Sequence, residues 1–171
     1  IFVEASPRFV TQDQASEVQK GAPLKYVGVF RDQPVAEIAH TAQTLNLTAV
    51  QLHGDEDQAY IDTLREALPS GVRIWKALSV KDSIPARDLN RVDRYVLDNG
   101  KGGTGHRFDW STLEGQDLSN VLLAGGLGAD NCVQAAQLGC AGLDFNSGVE
   151  SEPGIKDAEK ITAVFQTLRA Y

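Results

Sequence analysis

The fold is decided by one stretch from Val121 to Glu150, VLLAGGLGADNCVQAAQLGCAGLDFNSGVE. It predicts a strand, a glycine turn at residues 125–126, a helix, a second strand and a small polar turn at residues 146–148. Glycines let the backbone approach a ligand closely, and the free N–H groups at a helix start favour an anion. Two consecutive β/α units ending this way are typical of the phosphate site after strands 7 and 8 of a (β/α)₈ barrel. The stretch therefore predicts a site for a small phosphorylated molecule.

Short apolar runs alternate with amphipathic helical segments along the whole chain. Such runs are typical of strands that are buried on both faces of a parallel sheet. The strands are expected at Ile1–Glu4, Tyr26–Phe30, Ala49–His53, Arg73–Ala77, Tyr95–Asp98, Val121–Ala124 and Gly142–Phe145. The helices are expected at Gln12–Lys20, Pro34–Leu45, Glu56–Leu68, near Pro85–Leu89, and at Trp110–Leu113, Asn131–Leu138 and Ala158–Leu168. An open, doubly wound sheet stays an alternative, but the two phosphate-type turns favour a barrel.

The chain length limits how much of a barrel is present. A (β/α)₈ barrel takes about 250 residues, with roughly 200 as a lower limit, and this chain has 171. We therefore expect one α/β domain over residues 1–171, a (β/α)₈ TIM barrel of which the chain covers strands 2–8. The missing first β/α unit would add about 30 residues at the N-terminal side.

Composition excludes several classes of function. The net charge is −7 and no cluster of Lys and Arg occurs, which argues against nucleic-acid binding. No apolar run is long enough to span a membrane. The two cysteines and three histidines are scattered without metal-ligand spacing, so we expect no cofactor or metal, and a reducing, cytoplasmic environment.

One carboxyl group stands out at the end of a predicted strand. Asp98 follows the apolar run Tyr95–Leu97 and precedes a glycine-rich loop, NGKGGTG, at residues 99–105. Barrel enzymes place catalytic groups at the carboxyl ends of strands, and a flexible loop beside a carboxyl group suits a general acid or base. The alternative is that Asp98 only caps backbone N–H groups of the loop.

Five segments resemble phosphoribosylanthranilate isomerases of tryptophan biosynthesis, in order and with the spacing of that family. They are SPRFV (6–10), VQLHG (50–54), YVLDNGKGGTGHRFDW (95–110), LAGGLGADN (123–131) and LDFNSGVESEPGIKD (143–157). The ending TLRAY is similar to isomerase domains of the enteric bifunctional type, which are fused to indole-glycerol-phosphate synthase.

The resemblance implies an Amadori rearrangement of a phosphorylated small molecule and a role for each matching residue. Asp98 would be the general acid, and Arg8 would contact the anthranilate ring and carboxylate. His53 and Asp144 would contact substrate, although a packed or structural role is the alternative for each. The phosphate would lie against the two turns, at Gly125, Gly126, Ser147 and Gly148.

One departure from the family leaves alternatives open. The family's general base is a cysteine at the end of the first strand, and neither Cys132 nor Cys140 matches its motif. We therefore expect that base upstream of the chain, and the 171 residues alone to be inactive. A non-catalytic phosphate-binding barrel fragment and another sugar-phosphate barrel enzyme remain alternatives.

Overall fold

The structure is a computed structural model that describes residues 1–80, 83–99 and 109–171. The chain forms two compact units, Ile1–Ala77 with Asp88–Asp93, and Leu78–Arg87 with Arg94–Tyr171. Each unit contains parallel strands and helices in the alternation that the sequence predicts. The predicted glycine-rich loop lies outside the described residues from residue 100 onward.

The first unit is a run of β/α elements with three parallel strands. Val27 pairs with Ala49, and Ala49 in turn pairs with Arg73. The elements are α1 (Gln12–Gly21), β1 (Val27–Phe30), α2 (Val35–Thr44), β2 (Ala49–Leu52), α3 (Gln58–Ala67) and β3 (Arg73–Val80), whose last three residues belong to the second unit. Its core is a buried cluster that includes Phe30, Ile38, Val50, Leu52, Ile61, Leu64 and Ile74.

The second unit also has three parallel strands, with Tyr95 paired to Val121 and Leu122 paired to Gly142. Its elements are β4 (Arg94–Asn99), β5 (Val121–Leu123), α4 (Cys132–Gln137), β6 (Gly142–Leu143), β7 (Glu150–Glu152), β8 (Ile155–Lys156) and α5 (Ala158–Ala170). Two 3₁₀ turns cover Trp110–Leu113 and Ser147–Val149. Its main buried cluster includes Leu97, Leu113, Val121, Leu123, Leu127 and Ala135.

Helix α3 shows how local sequence sets an element boundary. The side chain of Asp57 accepts a hydrogen bond from the backbone N–H of Tyr60 (2.9 Å), which satisfies one of the free donors of the first turn. The helix therefore begins at Gln58, two residues later than predicted from Glu56. Its apolar face is buried as the helical spacing predicts, with Ile61 and Leu64 fully inaccessible.

The sequence analysis did not predict the hairpin of β7 and β8. These strands are antiparallel, with Glu150 paired to Lys156, and Gly154 has a φ of 91° between them. Pro153-Gly154 is a turn dipeptide, and its glycine supplies that left-handed conformation without a Cβ clash. The chain continues directly into α5, where Asp157 caps the first turn by accepting from the N–H groups of Glu159 and Lys160.

Two predicted elements are wrong. Ile1–Glu4 is not a strand, because a turn in which the N–H of Ser6 donates to the carbonyl of Val3 bends the segment after Phe2 bonds to β1. The segment Pro85–Leu89 is not a helix, since a helix of five residues gains too little from its few hydrogen bonds. Arg87 instead donates to the carbonyl of Asp117 (2.7 Å).

None of the helices within the described ranges combines the length and the apolar character that crossing a bilayer requires.

We predict an alkaline limit to stability at Tyr60, whose hydroxyl donates to the carbonyl of Gln33 (2.5 Å). Burial, with further contributions from the negative charges of Glu56, Asp32 and Glu37, raises the pKa of Tyr60 to about 12. Because the folded pKa exceeds the unfolded value of about 10, this stabilisation is complete below pH 10 and is lost as the pH rises through about 12.

The measurement is urea unfolding of the protein and of Tyr60→Phe at pH 7 and pH 11. At pH 7 the variant should be less stable by about 0.5–1.5 kcal/mol, the contribution of a typical hydrogen bond. The difference should already be smaller at pH 11, because ionisation of the Tyr60 hydroxyl in the unfolded state reduces the stabilisation above about pH 10. A difference that stays constant from pH 7 to the alkaline limit would contradict the assignment.

Candidate active site

The turn after β5, residues 125–128, is here called the glycine turn. Gly125 and Gly126 have φ values of 90° and 66°, in the left-handed region that only glycine adopts readily. The buried side chain of Asn131 spans the turn, with Oδ1 accepting from the N–H of Gly128 (3.0 Å) and Nδ2 donating to the carbonyl of Gly126 (2.9 Å). The turn is therefore fixed by a side chain from the start of α4, which the sequence analysis did not single out.

The turn after β6, residues 146–149, is here called the serine turn. Ser147–Val149 form a single 3₁₀ turn, in which the N–H of Val149 donates to the carbonyl of Asn146 (3.2 Å). The N–H of Glu150 donates to the carbonyl of Ser147, which closes the turn before β7 begins.

The structure brings the two turns into direct backbone contact. A Cβ atom added to Gly148 would lie 2.0 Å from the carbonyl oxygen of Leu127, closer than any real contact. The same turn lies against Gly128, whose added Cβ would be 3.7 Å from the carbonyl oxygen of Gly148. The four residues predicted to hold phosphate thus belong to two adjoining turns, while their role in binding stays a prediction.

The two predicted rim aspartates also lie in the second unit. Asp98 is the fifth residue of β4, and Asp144 directly follows β6. The N–H of Asp144 donates to the carbonyl of Leu123 (2.8 Å), and the N–H of Ala124 donates to that of Leu97 (2.8 Å). These bonds continue the ladders past the ends of β5 and β6. Both carboxyl groups are half-buried and stand at the carboxyl ends of parallel strands, where barrel enzymes place their chemistry.

The first unit holds the other two predicted residues. His53 directly follows β2 and is half-buried, and its N–H donates to the carbonyl of Phe30 (2.8 Å). Arg8 lies in the turn that follows the N-terminal segment, with its N–H donating to Oγ of Ser6 (3.1 Å) and its side chain half-buried.

A buried ion pair in the first unit was missed by the sequence analysis, which assigned Glu56 to a helix. Nζ of Lys76 lies 2.8 Å from Oε2 of Glu56, and the two side chains are 6% and 0% exposed. Lys76 also donates to the carbonyl of Gly54 (2.6 Å). A lysine inside the otherwise apolar strand segment IWKAL was the available signal, because a buried ammonium group requires a partner.

Glu56 joins three elements of the first unit. Its carboxylate accepts from the N–H of Asp32 (2.9 Å), which follows β1, and from the N–H of Gly54 (3.0 Å), which follows β2. With Lys76 in the middle of β3, the same carboxylate therefore connects that strand to the loops after β1 and β2. Asp32 in turn accepts from the N–H of Asp55 (2.7 Å). The loop that carries His53 is held by this network.

Within residues 1–80, 83–99 and 109–171, no three His, Cys, Asp or Glu side chains are grouped so as to hold a metal ion.

Adjoining glycine and serine turns after consecutive strands, with an aspartate at the end of β4, are the features that the motifs predicted. The family model of N-(5'-phosphoribosyl)anthranilate (PRA) isomerase matches residues 1–167. The chain belongs to the PRA isomerase family. This confirms the family that the sequence motifs predicted.

Curated relatives are similar to this chain over its whole length. Proteins named tryptophan biosynthesis protein TrpCF are 67% identical in Salmonella typhi and 64% identical in Yersinia pestis, each over the whole of this chain. The chain spans 38% and 36% of the length of these two proteins.

Solved structures confirm the fold expected of the PRA isomerase family. Phosphoribosyl anthranilate isomerase from Thermus thermophilus is 30% identical with a TM-score of 0.85, and the match covers 99% of this chain and 85% of that chain. The enzyme from Thermotoga maritima is 29% identical with a TM-score of 0.83, covering 99% and 86%. A 3-hexulose-6-phosphate synthase from Salmonella typhimurium, at 15% identity and a TM-score of 0.69, shares the fold alone.

The contact between the two turns predicts a steric effect at Gly148. Gly148→Ala should destabilise the protein by about 1–3 kcal/mol, as overpacking does, because the new Cβ collides with the Leu127 carbonyl. Gly21→Ala is the matched control, since nothing lies within 4 Å of its added Cβ. Urea unfolding measures both. Equal stability of the two variants would contradict the close approach.

The buried ion pair predicts a large cost for removing one partner. Lys76→Met leaves the Glu56 carboxylate buried without its ammonium group, which should cost about 3–5 kcal/mol. Lys20→Met is the control, because Lys20 pairs with Glu17 in solvent, where such pairs contribute about 0–1 kcal/mol. The free energies of unfolding in urea should differ accordingly. A loss at Lys76 no larger than that at Lys20 would argue against the buried pair.

Proposed function

We propose that this chain supplies the general acid and the phosphate site for the Amadori rearrangement of N-(5-phosphoribosyl)anthranilate to 1-(2-carboxyphenylamino)-1-deoxyribulose 5-phosphate, which the full-length protein catalyses with a cysteine base expected upstream of these residues. The observation that carries the proposal is the backbone contact between the glycine turn and the serine turn at the ends of β5 and β6. Family membership over residues 1–167 supports the same reaction. A solved PRA isomerase, 26% identical with a TM-score of 0.80, is in complex with reduced 1-(o-carboxyphenylamino)-1-deoxyribulose 5-phosphate, which supports this class of ligand.

The phosphate of the substrate is assigned to the two turns, at Gly125, Gly126, Ser147 and Gly148. Left-handed glycines and a 3₁₀ turn leave backbone N–H groups without partners in regular structure, and such groups bind anions. A protein of net charge −7 repels a phosphate dianion at long range, so local backbone dipoles must supply the attraction.

Asp98 is assigned as the general acid. It protonates the ribose ring oxygen, the bond from C1 to that oxygen breaks, and the anthranilate nitrogen forms a Schiff base with C1. The cysteine base that the family resemblance implies upstream of these residues then takes the C2 proton, which gives an enolamine. Protonation at C1 and loss of the C2 hydroxyl proton yield the ketone, so the reaction is an isomerisation without net oxidation. A half-buried carboxyl group at a strand end suits the first proton transfer.

Three further side chains are assigned to the rest of the substrate. The guanidinium group of Arg8 pairs with the anthranilate carboxylate and stacks on its ring, two interactions for which arginine is suited. His53 and Asp144, each directly after a strand, contact the sugar portion. The Glu56 network supports this role for His53 because it fixes the loop in which His53 lies.

The proposal also covers the numbering of the barrel strands and the protein in which this domain occurs. We assign β1 to β6 to strands 3–8 of a (β/α)₈ barrel, supported by the TM-score of 0.85. The segment of Phe2, which bonds to β1 without forming a strand, is assigned to the position of strand 2. We also assign the domain to a cytoplasmic protein that carries an indole-glycerol-phosphate synthase domain. The chain's 38% share of a relative's length supports this arrangement.

The experiment is turnover of N-(5-phosphoribosyl)anthranilate by the full-length protein and by Asp98→Asn. The variant should keep its fold and its affinity for the reduced product analogue, while kcat falls by about 10²-fold or more, as expected when an acid–base group is lost. Asp13→Asn, the same change on the exposed surface of α1, is the control and should be unaffected.

The two arms of this experiment separate the reaction from the residue. No turnover by the wild-type protein would refute the proposed reaction. Turnover by Asp98→Asn close to that of the wild type would refute only the role of Asp98 as the acid.

A further inference from the structure

Lys156 contacts both ends of the serine turn. Its Nζ donates to the carbonyl oxygen of Asn146 (3.1 Å) and to the side-chain Oδ1 of the same residue (2.6 Å). It also donates to Oε1 of Glu150 (2.7 Å). Asn146 is the residue before the 3₁₀ turn and Glu150 the residue after it, so one ammonium group joins the beginning of the turn to its end.

These three contacts account for every donor of the ammonium group, because a lysine has three N–H bonds and no acceptor. Lys156 therefore has no donor left for a bound anion. The charge of Lys156 is paired with that of Glu150, so we expect its effect on phosphate to act mainly through the shape of the turn.

The two ends of the contact differ in burial. The side chain of Glu150 is 4% exposed, whereas that of Lys156 is 44% exposed. A buried carboxylate that loses a cationic partner keeps its desolvation cost, so it moves towards water or takes water in. Movement of Glu150 would displace the turn directly, since its N–H closes the turn on the carbonyl of Ser147.

The hairpin of β7 and β8 is what places Lys156 under the turn. Glu150 and Lys156 are directly opposite each other in the antiparallel ladder, and Lys160 of α5 also donates to the carbonyl of Glu150 (2.6 Å). Within the turn, Gly148 rests on the carbonyl of Leu127 without room for a methyl group. A shift at Asn146 or Glu150 would therefore change the gap between the serine turn and the glycine turn.

We propose that Lys156 is a positioning residue that sets the phosphate affinity of the two turns. This inference rests on the proposed function, because it assumes that phosphate binds there. It predicts that the hairpin, although its antiparallel strands lie outside the parallel strands β1 to β6, determines how well the site holds the phosphate end of the substrate.

The test compares Lys156→Met, Lys156→Arg and the control Lys25→Met in the full-length protein. Lys25→Met makes the same change at an exposed position in the first unit. The probes are inorganic phosphate, ribose 5-phosphate and anthranilate, with dissociation constants measured by calorimetry at two salt concentrations. Thermal unfolding confirms that each variant is folded.

In Lys156→Met, both phosphate probes should bind about 10- to 100-fold more weakly, since misplacing a binding group by about 1 Å can cost about 10²-fold. Affinity for anthranilate should not change, and the salt dependence of phosphate binding should match the wild type. Lys156→Arg should restore part of the affinity, and Lys25→Met should behave as the wild type.

Four results would overturn the inference. A lower unfolding temperature with unchanged phosphate affinity would make Lys156 merely structural. Equal weakening of all three probes would show a general disturbance of the site. A weaker salt dependence in Lys156→Met would show that the ammonium group touches the anion directly. Wild-type protein that binds neither phosphate probe would overturn the proposed phosphate site together with this inference.

Discussion

The second unit depends on a contact that tolerates no side chain, that between Gly148 and the carbonyl of Leu127. Two loops can meet at this distance only if one contributes a bare Cα. The contact holds the serine turn against the glycine turn at the carboxyl ends of β5 and β6. Asn131 bonds to the backbone of the glycine turn and Lys156 bonds to Asn146 of the serine turn, so each turn has hydrogen bonds of its own besides the contact between them.

The two units secure their strand ends by the same physical device. Each uses a lysine paired with a glutamate whose side chain is almost inaccessible, Lys76 with Glu56 and Lys156 with Glu150. In both pairs the ammonium group also donates to a backbone carbonyl of a loop that follows a strand. A buried carboxylate must have its acceptors satisfied, so it organises the backbone around it. Because an unpaired buried carboxylate would be unfavourable, the need to pair Glu56 and Glu150 holds the neighbouring loops in one arrangement.

The sequence predicted what depends on periodicity and on local turn chemistry. Apolar runs located β1 to β6 within a few residues, because strands buried on both faces leave a strong signal. Glycines located the turn after β5, because two adjacent glycines suit a turn with left-handed backbone conformations. Two of the missed features depend on partners that are more distant in sequence: Lys76 is 20 residues from Glu56, and Lys156 is 10 residues from Asn146. The wrong strand at Ile1–Glu4 has an apolar composition, but an adjacent turn ends its pairing with β1.

The saturation of Lys156 has a consequence for how substrate arrives. With its charge paired to that of Glu150, the lysine adds little net field to attract an anion, and the protein as a whole carries a charge of −7. Encounter with a phosphorylated molecule is then governed by diffusion and fit, without long-range guidance. The association rate constant of such a site should fall little when ionic strength rises. Salt screens the repulsion between protein and anion, and there is little long-range attraction for it to weaken. An acidic protein repels anions in general, and the backbone dipoles of the two turns act only at short range. The site would therefore select among phosphorylated molecules by how well they fit.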